Sequence, residues 1–458
     1  MNMSLGQALQ TFLLSKDFSL IKDFCISNHP AVVADFLSPL KPQEIWSILS
    51  ILNPQKRAEV FCQIDEDRQI TLASQLARHD LAALVTDMSS DDRADLFRRL
   101  PEATQKILLP ALAQAERDDI RRLVSYAEGT CGSVMTSDYA TLPENITVAQ
   151  AIEELRREAP DRETIYYIYV LGEQRKLLGF VSLKDLIVSY SALNVADIMH
   201  RDLIFVKAND DQEEAARKIA KYDLLALPVV DEAGSLVGII THDDAIDIIT
   251  QEHTEDMEKL MAIGGRHDVG TYLKTSAFEH FKNRVFWVVG LAAVGLLSGM
   301  VIHRFEATLA HFMILALYLP MLTDSGGNTG SQAATVIIRA LALREIKIKD
   351  IFKVLLKELK VSVMLGVILG GLSYGKVLFL SKDLILPVGM TLPMIATAIA
   401  MALMIQVVTS TLIGALLPMG AVFLGFDPAI VASPALTTIV DITGLLIYFN
   451  ITRMILGL

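Results

Sequence analysis

From Leu384 to Phe426 the chain runs for 43 residues without an Asp, Glu, Lys or Arg, broken only by Pro387, Pro393 and Pro418. Hydrocarbon offers backbone groups no water to bond, so a crossing segment must be a helix of about 20 apolar residues. This stretch therefore reads as membrane, and it has company. Val285 to Ile302 supplies eighteen uncharged residues. Phe312 to Leu343 is long enough but is interrupted by TDSGGNTGSQ. Val361 to Leu380 carries only Lys376, close enough to one end to snorkel, and Ala429 to Phe449 contains a single acid, Asp441. Five spans are expected, with room in the 43-residue stretch for a sixth or a re-entrant piece.

Charge divides the chain at the same place. Residues 285–458 hold eight Asp/Glu and eleven Lys/Arg, whereas the preceding 284 residues hold 45 and 30, so a front part near −15 adjoins a back part near +3. The whole is at −12, which excludes a nucleic-acid binder held by a basic surface as the default. Cys25, Cys62 and Cys131 form neither an even framework nor a metal-ligand spacing. The start, MNMSLGQALQTFLLSKDF, lacks a basic n-region, a long apolar core and a cleavage site, so the front part is expected in the cytoplasm. Arg339, Arg344, Lys347, Lys349, Lys353, Lys357 and Lys360 follow the second span, against Arg304, Lys376 and Lys382 on the opposite loops. The positive-inside rule then also places the N-terminal part in the cytoplasm.

Residues 1–128 show helical apolar spacing with frequent breaks. At an offset of 48, LKPQEIWSILSIL from Leu40 aligns with MSSDDRADLFRRL from Met88, pairing Ile48 with Leu96, Leu49 with Phe97 and Leu52 with Leu100. This predicts short stacked helices of the superhelical kind, or else an irregular all-helical domain. Residues 129–252 carry a clearer duplication, 129–194 and 195–252. Met135 aligns with Met199, Gly179 with Gly238 and Asp185 with Asp244, and each copy has a helical stretch, two β-branched strands and a closing helix. The pair resembles tandem CBS (cystathionine-β-synthase-type) domains, which are regulatory. In some such pairs the pattern seen here as Gly179, Ser182, Asp185 and as Gly238, Thr241, Asp244 holds an adenosine ribose. Ser or Thr followed by Asp at a helix start is equally a cap. The two glycines are read as turn residues.

Three constellations can carry chemistry. The run Gly326, Gly327, Asn328, Thr329, Gly330, Ser331, Gln332 puts Asn328 and Gln332 one helical turn apart, and reads either as a polar path or as a seam of small residues for close helix packing. Asp441 lies within the last span, with Thr437 four residues before it and Gly444 three after on one helical face. A lone carboxylate at that depth faces a bundle interior or a water-filled cavity, where it meets a cation or a structural hydrogen-bond donor. Finally, Asp243, Asp244, Asp247, Glu252, Glu255, Asp256 and Glu258 precede the first span, and Glu59, Asp87, Asp91 and Asp92 lie in the helical module. They form either a solvated acidic surface or two surfaces that divalent ions bring together. Gly264 and Gly265 look like a hinge ahead of a connecting helix. No Ser/His/Asp or Cys/His grouping and no Walker A loop is present, so an enzyme is not expected.

Two segments, LPMLTDSGGNTGSQAATVIIRALA at 319–342 and DPAIVASPALTTIVDITGLLIYF at 427–449, complete a likeness that covers nearly all 458 residues. The chain resembles the MgtE family of magnesium channels. The resemblance implies a multidomain fold: an all-α N-terminal domain (1–128), an α/β tandem CBS pair (129–252), a connecting or plug helix (253–282) and a five-helix transmembrane domain (283–458). It implies a homodimer in the inner membrane whose axial pore is lined by the second and fifth spans. Asp441 matches the pore acid, with Asn328, Gln332 and Thr437 as further contacts to a hydrated ion. It also implies that cytosolic Mg2+ joins the N-terminal and CBS domains and fixes the connecting helix so that the pore closes. Glu255 and Asp256 match the acidic pair before that helix, Asp244 and Asp247 the CBS acids, with Glu252 beside them and Asp87, Asp91 and Glu59 as N-terminal partners. Asp324 departs from the commonest pattern at the pore mouth. Transported and regulatory Mg2+, with ATP at Ser182, Asp185, Thr241 and Asp244, are the expected ligands, and membrane lipid and a second copy the expected partners. The alternatives are a channel for Co2+ or Mn2+, or a membrane-anchored CBS nucleotide sensor.

Overall fold

The computed structural model describes residues 18–264, 272–273, 275–384, 386, 389–429 and 433–457. The chain divides after Ile249 into two compact units.

The first unit opens, among the described residues, with nine α-helices. They are α1 (Phe18–Ser27), α2 (Pro30–Leu37), α3 (Pro42–Leu49), α4 (Pro54–Cys62), α5 (Glu66–Gln75), α6 (Arg78–Thr86), α7 (Ser90–Arg99), α8 (Glu102–Leu108) and α9 (Gln114–Val124). Proline at the first position of α2, α3 and α4 fits a helix start, because its missing N–H would have no partner there in any case. Each helix packs on the next but one, α2 on α4, α3 on α5, α5 on α7 and α7 on α9, which makes two interleaved rows. The 48-residue similarity superposes α3 on α7, four helices later. All four aligned pairs, Leu40/Met88, Ile48/Leu96, Leu49/Phe97 and Leu52/Leu100, are buried.

The duplicated stretch forms two matching three-stranded sheets. In the first, β1 (Tyr139–Pro143) runs parallel to β2 (Thr164–Leu171) across α10 (Val148–Glu158), and β2 pairs antiparallel with β3 (Leu177–Ser182), with Ile168 opposite Val181. After α11 (Leu183–Val188) and α12 (Val195–Ile198), the second sheet repeats this with β4 (Val206–Lys207), α13 (Gln212–Tyr222), β5 (Ala226–Val230) and β6 (Leu236–Thr241), placing Leu227 opposite Ile240. Gly179 and Gly238 lie inside β3 and β6, not in turns as expected. A Cβ on Gly179 would stand 2.6 Å from the His200 carbonyl oxygen and 3.2 Å from Met199 Sδ. One on Gly238 would stand 2.5 Å from Met135 Sδ. The aligned Met and Gly positions thus cross, each copy's methionine filling the notch left by the other copy's glycine.

Helix α14 (His242–Leu260) closes the second copy and continues without interruption into the segment expected as a separate connecting helix. It ends at Leu260, and the turn that follows uses Ala262, whose φ of 53° is left-handed, so it does not depend on Gly264. Gly265 lies outside the described residues. The second unit then holds α15 (Ala277–Arg304), the short α16 (Glu306–His311), α17 (Met313–Ala342), α18 (Ile351–Leu380), α19 (Leu392–Phe423) and α20 (Ser433–Leu456). Among the described residues four helices are long and apolar enough to cross a membrane: Ala277–Arg304, Ile348–Leu380, Leu392–Phe423 and Ala435–Leu456. Helix α17 has the length, 30 residues, but Asp324, Asn328 and Gln332 and their polar neighbours deprive it of the composition. Among its described residues the 43-residue uncharged stretch contributes one helix, α19, which carries Pro418 within it.

Helix α17 also runs unbroken through Gly326, Gly327 and Gly330, where a polar interruption was expected. A helix satisfies its backbone internally, as hydrocarbon requires, and the hydroxyls of Thr323, Thr329 and Thr335 donate to carbonyls of their own preceding turn. Its glycines serve packing. A Cβ on Gly414 of α19 would lie 2.2 Å from the Gly330 carbonyl oxygen, and Thr329 and Ser410 hydroxyls meet at 2.8 Å across the same seam. Helix α18 joins α19 in the same way, Gly366 and Gly370 facing Met404 and Ala400.

Candidate functional site

In the second unit, α17 turns its small residues to α19 and α20 and leaves a polar stripe uncovered. Gly326, Gly327, Thr329, Gly330, Ala333 and Ala334 are buried, while Asp324, Asn328, Gln332 and Thr335, spaced by about one turn, are exposed. Asn328 Nδ2 donates to Asp324 Oδ1 at 3.2 Å. The packing seam and the polar path are therefore both present, on different faces of one helix. Helix α20 packs against α17 with Leu436 and Val440 buried beside Ala334 and Ile338. Thr437 and Asp441 are partly buried, and Thr437 Cγ2 lies 3.5 Å from where a Cβ on Gly327 would stand. No hydrogen bond or ion pair engages Asp441 among the described residues. An ionised carboxylate at membrane depth without a partner is costly, so this arrangement suits a cation or its water shell.

The end of α14 is tied to the entrance of α20. Lys259 Nζ lies 2.8 Å from Asp427 Oδ2 and also pairs with Glu255, and Asp427 Oδ1 accepts from the Ala429 N–H at 2.8 Å. Burial works against the ammonium, but the bonds to Asp427 and Glu255 prevail and hold its pKa above the ordinary value. Asp256, pushed up by burial and then by Asp427, completes a group of three acids around one lysine. Leu260, at the end of α14, packs with Ala334, Ile338, Leu436 and Val440.

In the first unit, the start of α7 meets the CBS pair. The Ser90 N–H donates to Asp138 Oδ2 at 2.9 Å, Ser90 and Thr136 hydroxyls meet at 2.9 Å, and Arg98 donates to the Ser133 carbonyl at 3.0 Å. These bonds bring acids together. Asp91, pushed well up by burial and then by Asp244, Asp92 and Glu163, keeps Oδ1 buried without a hydrogen-bond partner among the described residues. Burial raises Asp244 to about 6 despite its bonds from Thr241, with Asp243 and Asp92 adding to the rise. Glu163 is raised to about 7 by burial and then by Asp244 and Asp243. Asp247 is exposed on α14 and raised by burial and by Asp243. The remaining expected acids are placed otherwise. Glu59 is exposed with Lys56 at 3.9 Å, Asp87 is bound by Arg57 at 2.5 Å, and Glu252 is partly buried on the 250–260 stretch of α14. Among the described residues no three His, Cys, Asp or Glu converge to hold a bare metal ion. Mg2+ commonly keeps several waters and binds through one or two carboxylates, so crowded pairs such as Asp91 and Asp244 fit it.

The nucleotide candidates act as caps. Ser182 accepts from the Asp185 N–H at 3.1 Å while Asp185 Oδ2 accepts from the Ser182 N–H at 3.2 Å and lies 3.1 Å from His200 Nε2. Asp244 accepts from the Thr241 N–H at 3.2 Å. Sequence reasoning missed Glu163, Asp138, Lys259 and Gln406. The first two stand next to strands and reach the site only through tertiary folding, Lys259 follows a run of acids with nothing local to mark its distant partner Asp427, and Gln406 lies within the 43-residue uncharged run.

The profile of MgtE, a divalent cation transporter, matches residues 319–451, that of the MgtE intracellular N domain matches 28–129, and that of the CBS domain matches 131–191 and 195–251. The magnesium transporter MgtE of Thermus thermophilus is 39% identical over 402 residues, 87% of this chain and 87% of its own length. That of Bacillus subtilis is 32% identical over 390 residues, 85% and 83% of the two chains. The solved cytosolic domain of the Mg2+ channel MgtE in complex with ATP is 36% identical with a TM-score of 0.50, covering 53% of this chain and 98% of that one. The soluble part of a magnesium transporter is 30% identical with a TM-score of 0.51, covering 54% and 99%.

Proposed function

We propose that this chain, which belongs to the MgtE family of divalent cation transporters, passes Mg2+ down its gradient as a homodimer and is closed by cytosolic Mg2+. The observation that carries the reading is Asp441, a carboxylate on α20 without a partner among the described residues, next to a helix whose uncovered face bears Asp324, Asn328 and Gln332. In hydrocarbon such a polar stripe needs water or a second copy, and two copies meeting there enclose a wet path with two Asp441 side chains. Helix α15, with no buried residue in the single chain, supports the same pairing. Carboxylates and amides held apart by water suit an ion that surrenders its octahedral shell reluctantly. Asn328, Gln332 and Thr437 then bond to the shell rather than the ion.

Closure rests on the acidic junction. With the N-terminal part in the cytoplasm, Asp91, Asp244 and their neighbours repel one another until a divalent cation enters, while Glu255, Asp256 and Asp427 offer a second acidic group at the pore helix. ATP at the CBS pair belongs to the same proposal, supported by the ATP complex of the relative's cytosolic domain. The test is Mg2+ influx into proteoliposomes, with low and high Mg2+ on the cytosolic face. Influx that Asp441→Ala abolishes and high cytosolic Mg2+ suppresses is expected, and an Asp441→Ala variant as active as the parent overturns it. Competition by Co2+ and Mn2+ decides the cargo, since both accept octahedral oxygen sites.

A further inference from the structure

Gln406 sits in the middle of α19 and is fully buried. Its Nε2 donates to the Val440 carbonyl on α20 at 3.0 Å, and its Oε1 is buried without a partner among the described residues. Two glycines make room for it. A Cβ on Gly326 of α17 would stand 2.4 Å from Nε2, and one on Gly444 of α20 would stand 2.4 Å from Nε2 and 3.0 Å from Oε1. One amide is thus wedged where α17, α19 and α20 meet. A methionine or leucine would fill the slot without desolvating an oxygen that then goes unbonded, so the side chain is kept for its donor and its flat shape.

The wedge lies where spacing decides the path. Asp441 follows Val440, the residue whose carbonyl the amide holds, and Asn328 is two residues beyond Gly326. We infer that Gln406 is a positioning residue that sets the separation of α17 and α20, and with it the width at which Asp441 and Asn328 meet a hydrated ion. It touches no ion itself. The inference rests on the reading of this path as an Mg2+ conduit.

The test uses the full chain in proteoliposomes and compares Gln406→Met, Gly326→Ala and the double variant Gly326→Ala/Gln406→Ala with the parent. Three readouts are taken: melting temperature, Mg2+ influx, and the ratio of Mg2+ to Mn2+ influx. Gln406→Met should melt within a few degrees of the parent yet change the ion ratio, by up to about fivefold when the whole of one ordinary net hydrogen bond is expressed as a difference between the two ions. Gly326→Ala should lose influx, and the double variant should recover part of it, because the new methyl group falls into the vacated slot. A Gln406→Met protein that folds and keeps the parental ratio overturns the inference, as does a double variant no better than Gly326→Ala. If Gln406→Met does not fold, the comparison of Gly326→Ala with the double variant decides. A parent that passes no Mg2+ at all sinks the transport reading instead, and this inference with it.

Discussion

Replacing Asp91 by Asn is expected to stabilise the first unit, an unusual direction for a buried side chain. Asp91 has an oxygen without a partner and its pKa is pushed well up, first by burial and then by Asp244. Asp244 beside it stands at about 6 against an ordinary 3.8. At ~1.4 kcal/mol per unit, Asp244 alone destabilises the fold by roughly 2–3 kcal/mol once ionised, and Asp91 acts in the same direction. The sign follows from proton binding. The folded state holds its protons to higher pH than the unfolded chain, so stability present below about pH 4 is lost as pH rises, through about 6 for Asp244 and about 7 for Glu163, with Asp91 shifted in the same direction. Asn mimics the protonated acid. At pH 8 the Asp91→Asn variant should melt above the parent, by about 2–4 °C for each kcal/mol recovered in a unit of this size, with the gap closing toward pH 4.5. Trp46 fluorescence in a Trp287→Phe background reads this unit alone, since the chain has two tryptophans. Added Mg2+ should raise the melting temperature of the parent more than that of the variant, as expected for a ligand bound by the folded state. A variant less stable than the parent at pH 8, or a gain that does not vary with pH, would refute the reasoning.

Other perturbations test the remaining contacts. Lys259→Met leaves Glu255, Asp256 and Asp427 without their cation and should loosen residues 250–260 by about 1–3 kcal/mol, read as faster amide exchange that Mg2+ partly reverses; unchanged exchange would exclude the clamp. Gly414→Ala drives a methyl group to 2.2 Å from a carbonyl of α17 and should cost at least about 2 kcal/mol in thermal unfolding, whereas Gly371→Ala, facing open space, should leave it unchanged. Gly238→Ala should destabilise the CBS pair by about 1–3 kcal/mol because Met135 Sδ occupies the place of the new carbon, and Met135→Ala in the same chain should restore part of it.

The domain order and the two sheets were legible because duplication and periodicity are local signals. Met135/Met199 and Gly179/Gly238 could be aligned by eye, and α3/α7 likewise. What each aligned residue does was not legible. The glycines looked like turns because a turn is the commonest need for glycine, whereas here the other copy's backbone passes close by. The run at 324–332 looked like a break because glycine and asparagine disfavour isolated helices, yet α19 and α20 supply the packing that overrides propensity. The stripe formed by Asp324, Asn328 and Gln332 could be read from spacing alone, but the covered side of the same helix required Gly330, Gly414 and Gln406 to be seen together. The acids were visible as a run. Which of them face one another depends on the docking of α7 through Ser90, Thr136 and Asp138, a contact between residues nearly fifty positions apart.

The exchange of methionines and glycines between the two sheets has a historical consequence. Neither half of the duplication is a finished object: excising one would leave its twin with an unfilled hollow and a protruding thioether. A change at any one of these four positions therefore calls for a matching change in the other copy, so across relatives they should vary together even where the rest of the repeats differ.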